Sequence, residues 1–200
     1  MNDKEQVRSL FYRLSVSFLK SCAYSYQMTK HILFAEFREV QTIRSGTGFV
    51  DFLIVDEEEL ASYQPLAGSF VIFRSRGKIL LCFSIKKKKW ELPGGKRKFG
   101  ESPKECAIRE LFEETGQVVP ELEFAGLLKK RKKRTGKIKY SPIFFASAKD
   151  LMPFKVNKET SEIRLWDLTE NIGSVNKTDF RLLTRLEEML LDGNWTWNEG

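Results

Sequence analysis

Two hundred residues with 42% hydrophobic composition suffice for one ordinary domain with a sizeable core, or one domain with an extension, and exclude global disorder. The formal charge of +7 comes largely from a lysine run at 86–89 and a basic run at 129–134, so positive charge is concentrated where it favours anionic partners. Three cysteines (Cys22, Cys82, Cys106) without C-x-x-C spacing and a single histidine, His31, exclude a zinc-ligand set and suggest a reduced, cytoplasmic protein.

In chain order, residues 1–27 carry Val7, Leu10, Phe11, Leu14, Phe18 and Leu19 near a helical period, which predicts a short amphipathic helix. Its role is open between an over-extended start, a packing arm and a partner-binding helix. The apolar stretch at 10–26 is broken by Arg13 and Lys20 and has no clear cleavage site, so neither a membrane span nor a secretion signal is expected. The domain proper is expected over 28–200. From His31 the texture becomes β, with apolar runs at 32–37, 49–55, 70–73 and 79–85, separated by Gly46, Gly48, Pro65, Gly68 and an Arg76-Gly77 turn. The third and fourth runs form a hairpin. Trp90-Glu91-Leu92 then approaches Pro93-Gly94-Gly95, with Trp90 read as core.

A helix follows. Ser102 is a good N-cap, Pro103 suits the first helical position, Glu105 completes a capping box, and Gly116 supplies the stop. At about 100° per residue, Ile108, Leu111 and Phe112 share one face, expected to be buried. Glu110, Glu113 and Glu114 share roughly the opposite one. Beyond the helix, strands at 122–128 and 140–146 flank the basic run and a Thr135-Gly136-Lys137 turn, a hairpin with a cationic tip and one cationic arm. Residues 161–167 read as a last strand, and 177–192 as a closing helix stopped by Gly193. The order predicts an α/β fold, a mixed sheet with one helix on each side.

The glutamates carry the chemistry. Like charges at i,i+3 and i,i+4, with only Arg109 beside them, destabilise a bare helix by roughly several tenths of a kcal/mol. A hard divalent cation, Mg²⁺ or Mn²⁺, prefers oxygen ligands and removes that cost; the plain alternative is a solvated acidic face. Leu92-Pro93-Gly94-Gly95 combines a fixed φ, a lost donor and two permissive residues, so backbone carbonyls can be turned toward the helix.

Gly95, Glu101, Arg109, Glu110, Leu111, Glu113, Glu114 and Gly116 fall at the spacing G-x5-E-x7-R-E-U-x-E-E-x-G-U, with U aliphatic. This stretch resembles the Nudix box of the Nudix (MutT-like) hydrolases. Gln117 departs from it, standing where an aliphatic residue is usual, with Val118 and Val119 directly after. The resemblance implies a Nudix-type α/β/α sandwich with a mixed β-sheet, and hydrolysis of a nucleoside diphosphate linked to another group by water attack on phosphorus. It implies Mg²⁺ (or Mn²⁺) held by Glu110, Glu113, Glu114 and the carbonyl of Gly94 or Gly95, with Arg109 orienting the carboxylates and Glu101 anchoring the loop.

A further carboxylate shortly before the last strand often completes the family's site. Glu159 is favoured over Glu162, and a box glutamate such as Glu113 stays open as the base. Candidate substrate contacts are Lys89, Lys96, Arg74 and Asn176. Asn176 is placed like the base-reading asparagine of MutT-like enzymes, although an N-cap is the favoured reading. The first candidate substrate is an oxidised purine nucleoside triphosphate such as 8-oxo-dGTP. Removal of pyrophosphate from RNA 5′ ends is the second reading, and a non-catalytic nucleotide-sensing or protein-binding domain the third. Oligomeric state is left open.

Overall fold

The computed structural model describes residues 49–132 and 134–192. The helix expected within 1–27, the strand at 32–37 and the boundary expected at 27/28 lie outside the described residues. The strands are β1 (Phe49–Leu53), β2 (Ser69–Ser75), β3 (Lys78–Ser84), β4 (Lys89–Glu91), β5 (Gly94–Gly95), β6 (Glu123–Arg131), β7 (Ile138–Ser147) and β8 (Thr160–Trp166). The helices are α1 (Pro103–Thr115) and α2 (Lys177–Leu191), with a 3-10 turn at Glu57–Ser62.

The strands form one eight-stranded sheet in the order β1-β6-β7-β2-β3-β4, with β5 paired to β2 and β8 to β3. β2 and β7 run parallel, from Phe70 opposite Ile143 to Arg74 opposite Ser147, whereas β1–β6, β2–β3, β3–β8 and β6–β7 are antiparallel. The β2–β3 hairpin closes on the expected Arg76-Gly77 turn, whose residues have φ of 51° and 74°; two successive positive φ values match the twist of the flanking strands. β6 runs into the basic segment, setting Lys129 opposite Tyr140, Lys130 opposite Lys139 and Arg131 opposite Ile138. Cations therefore line an arm of this hairpin as well as its tip.

Strand alternation divides the core between the two faces of the sheet. Val71, Phe73, Leu80, Phe144 and Ala146 pack with Ala107 and Leu111 of α1. On the other face α2 buries Phe180, Leu182, Leu183, Leu186 and Met189, with Phe180 6.2 Å from Trp166. The result is the expected α/β/α layering. Trp90 is core, as read from the sequence: it is buried, edge-on to Phe83 at 5.2 Å, and its Nε1–H donates to the Ile172 carbonyl at 2.9 Å.

The orientation of α1 corrects the sequence reading. Its buried residues are Cys106, Ala107, Glu110, Leu111 and Thr115, while Ile108 and Phe112 are 49% and 57% exposed. Small Cys106 and Ala107 let the helix approach the sheet closely. The helix is consequently rotated so that Glu110 and Glu114 face the Gly94–Gly95 loop rather than open solvent.

Candidate active site

Both ends of α1 are fixed locally. The Glu105 N–H donates to Ser102 Oγ (3.2 Å) and the Ser102 N–H to the Glu105 carboxylate (2.8 Å), a reciprocal box. At the other end Gly116 takes φ 72° and donates its N–H to the Phe112 carbonyl at 2.8 Å. With the register pinned, residues 109, 110, 113 and 114 meet the glycine loop. A Cβ at Gly95 would lie 2.3 Å from Glu110 Oε1, so any larger residue would push that carboxylate away from the loop.

Arg109 ties the loop to the helix. Its Nε and Nη2 donate to the two oxygens of Glu101 (2.6 and 2.9 Å), and Nη1 donates to Glu110 (2.8 Å) and Glu113 (3.0 Å). Nη2 also reaches the Lys96 carbonyl at 3.1 Å. The bidentate fork holds the Glu101 carboxyl down to about 2, with the Lys98 N–H adding to the effect and partial burial opposing it. Glu113 meets Lys98 Nζ at 3.3 Å. Glu114 is shifted the other way: burial pushes its carboxyl up to about 7 against the pull of the Gly94 N–H (2.8 Å), and the charges of Glu110 and Glu91 push the same way.

These groups open on a cleft of about 590 Å³ whose floor is Gly94, Gly95, Glu110, Glu113 and Glu114. Its walls carry the cations Lys87, Lys96, Lys98, Arg109 and Lys158, with Asn157 and Glu159 on the rim. Asn157 shapes that rim. Its Oδ1 accepts the N–H groups of Glu159 (2.9 Å) and Thr160 (2.8 Å), and its Nδ2 donates to the Glu113 carbonyl (3.1 Å). This Asx turn fastens the approach to β8 onto α1. Glu162 instead stands exposed on β8, 3.2 Å from Arg164, and does not line the cleft.

A smaller cavity of about 120 Å³ adjoins the cleft, with Lys87 and Gly94 common to both. Asn176 has two partners here: Oδ1 caps α2 by accepting the Thr178 N–H (2.9 Å), and Nδ2 donates to buried Glu91 (2.6 Å). Lys87 Nζ also binds Glu91, at 2.7 Å. Asp179 accepts the Leu92 N–H (3.1 Å), and burial pushes its carboxyl up to about 7. Lys130 sits over the Phe70 ring at 4.6 Å.

Of the substrate contacts expected from the sequence, Lys96 lines the cleft and Asn176 the smaller cavity. Lys89 pairs with Ser84 along β4, and Arg74 lies on β2 between Ile79 and Ser147; neither lines the cleft. Lys87, Lys98 and Lys158 occupy its walls instead. Sequence reasoning also missed Asn157, Glu91 and Asp179 as site-forming residues. Asn157 carried a signal, an asparagine two residues before the candidate carboxylate; buried Glu91 carried none.

The donor set is all oxygen, which suits a hard divalent cation, and the space kept open at Gly95 sets the Glu110 carboxylate against the loop. Among the described residues no three acidic, thiol or imidazole groups are already gathered for a metal ion. Arg109 holds Glu110 and Glu113 in the arrangement seen. Also among the described residues, no helix is long and apolar enough to cross a membrane.

Residues 63–186 match the NUDIX domain family; the chain belongs to that family and is a Nudix hydrolase. Nudix hydrolases generally use divalent cations. Among solved structures, the chain is similar to a point mutant of the Bacillus subtilis pyrophosphohydrolase BsRppH, with 27% identity, 72% of this chain and 91% of that one covered, and a TM-score of 0.56. It shares its fold with a MutT protein from Methanosarcina mazei (24% identity, 66% and 97% covered, TM-score 0.52). The same holds for the NUDIX domain of Shewanella oneidensis NrtR, solved with ADP ribose (19% identity, 68% and 99% covered, TM-score 0.52).

Proposed function

We propose that this protein is a Mg²⁺- or Mn²⁺-dependent hydrolase that cleaves a phosphoanhydride bond of a nucleoside triphosphate, or of a related nucleoside diphosphate derivative, by water attack on phosphorus. The observation that carries this reading is the meeting, in one cleft, of Glu110, Glu113 and Glu114 with a glycine loop and a wall of lysines. A bound divalent cation would neutralise the polyphosphate and lower the pKa of the attacking water. Glu110, Glu113 and Glu114 would hold it. Of the two backbone candidates, Gly94 is preferred, because the Gly95 carbonyl accepts the Cys106 thiol (3.6 Å) and lies against Gly68. Lys87, Lys96, Lys98 and Lys158 bind phosphate oxygens, and Glu159, held on the rim by Asn157, takes the proton of the water.

Oxidised purine triphosphates are the first candidates. Asn176 and Glu91, hydrogen-bonded to each other, line the adjoining cavity with an amide and a carboxylate that a base edge could meet through their remaining hydrogen-bonding capacity. The second reading is removal of pyrophosphate from RNA 5′ ends, favoured by the cationic β6–β7 hairpin and supported by the likeness to a bacterial pyrophosphohydrolase. A purely sensing domain has no use for three crowded carboxylates.

The test is release of phosphate or pyrophosphate from 8-oxo-dGTP, ordinary nucleoside triphosphates, nucleotide sugars, dinucleotide polyphosphates and triphosphorylated RNA, with Mg²⁺, for wild type and Glu113→Gln. One class is expected to turn over, with turnover abolished in the variant. Nucleotide binding without turnover of any class would replace the catalytic reading with the sensing one.

A further inference from the structure

Phe99 is fully exposed, at 108% of its reference surface. A single exposed aromatic is ordinary, so its surroundings decide its meaning. It stands in the loop between β5 and α1 and lines a groove of about 700 Å³ with Lys96, Arg97 and Lys98 on its own side and Leu66, Ala67, Gly68 and Lys139 across from it. The one carboxylate on this groove, Glu101, has both oxygens bound to Arg109, so the open charge there is positive. Lys139 sits opposite Lys130 on the β6–β7 arm, which continues the positive surface onto the hairpin. Lys96 and Lys98 line both this groove and the cleft, so the two adjoin across these lysines.

We infer that the groove is the path of a single-stranded RNA whose 5′ phosphates occupy the cleft, with Phe99 stacking on a base and Arg97 and Lys139 meeting the backbone. The inference rests on the RNA reading of the site. A cationic track with an exposed aromatic is the combination that binds single strands, because every base offers a π-face and every linkage a charge. In a duplex the bases are already stacked on one another. Protein interfaces are depleted of charge at their centres, whereas here Phe99 is flanked by Lys98 and faces Lys139. A free nucleoside triphosphate with its phosphates in the cleft has no chain to lay along this groove, so the groove separates long from short substrates.

The test compares a 5′-triphosphorylated single-stranded RNA decamer with GTP as substrates of wild type, Phe99→Ala, Phe99→Tyr and the Arg97→Ala/Lys139→Ala double variant. Phe99→Ala is expected to raise KM for the RNA by roughly 5- to 100-fold, the loss of one base stack, with kcat unchanged and Phe99→Tyr restoring it. The double variant is expected to raise the same KM and flatten its dependence on salt. GTP kinetics stay as in wild type. RNA turnover with unaltered KM in both Phe99→Ala and the double variant overturns the groove and leaves the RNA reading standing. RNA left intact while GTP is cleaved overturns both and leaves the nucleotide reading. Anisotropy of the 3′-labelled decamer on Glu113→Gln reads the groove without turnover: weaker binding on adding Phe99→Ala supports it, and equal binding overturns it. Binding to phosphatidylserine vesicles that is lost in Phe99→Ala, with RNA binding unchanged, would assign the groove to a membrane and overturn it too.

Discussion

One guanidinium joins Glu101, Glu110, Glu113 and the Lys96 carbonyl, and a lysine lacks the planar fork to do the same. Arg109→Lys is therefore expected to lower kcat/KM by about 10–100-fold, as outer-shell changes at metal sites do, with near-normal activity counting against the role. Glu159 is tested more directly. As the proposed acceptor of the water's proton, its replacement in Glu159→Gln should lower kcat by roughly 10²–10⁴-fold. A variant with unchanged kcat would pass the base role to one of the box glutamates. Gly95 is a steric case: an added Cβ meets Glu110 Oε1 at 2.3 Å, so Gly95→Ala should weaken Mn²⁺ binding measured by calorimetry.

Helix α1 shows what was legible in the sequence and what was not. Its cap box, its glycine stop and the β2–β3 turn were readable because each depends on residues within a few positions of one another. Its buried face was not, because periodicity weights Ile108 and Phe112 by their hydrophobicity, while the packing selected Cys106 and Ala107 for their small size at the close approach to the glycine loop. Leu111→Ala should cost about 2–5 kcal/mol, whereas Ile108→Gln and Phe112→Gln should each fall within about 0.5 kcal/mol of wild type in urea melts. The lysine run was equally opaque. Lys88 takes φ 53° in the turn between β3 and β4, and that turn sends Lys87, not Lys89, to Glu91 and the cleft. The Nudix-box departure at Gln117 proves structural: its amide binds Met152 N (2.7 Å), Met152 O (3.0 Å) and Thr115 O (3.0 Å). Gln117→Leu restores the family's residue type but removes these three bonds, the one to the Thr115 carbonyl buried, and should destabilise by about 1–3 kcal/mol.

Across the whole molecule, burial of acids makes stability depend on pH in a direction that can be worked out. Asp179 ionises near 7 in the fold against an ordinary 3.8, and Glu114 near 7 against 4.5, both chiefly through burial. Between those limits the unfolded chain has lost protons that the folded one keeps, so stability is full below the ordinary values and falls as pH rises toward 7, by at most about 1.4 kcal/mol per pH unit for each proton. Glu101 acts in the opposite sense: held near 2 by Arg109, its contribution is present above 4.5 and is lost as pH falls toward 2. Metal-free protein should accordingly gain stability on acidification from pH 7 to 5, and Asp179→Asn, which keeps an acceptor for the Leu92 N–H, should flatten that gain. If Glu114 holds Mg²⁺ as proposed, the cation competes with the proton there, so the stabilisation it brings should grow from pH 6 to 8. Urea midpoints at four pH values, with EDTA and with Mg²⁺, read both effects. A wild-type slope identical to that of Asp179→Asn would remove Asp179 from the account, and a Mg²⁺ effect independent of pH would mean that the cation does not meet Glu114.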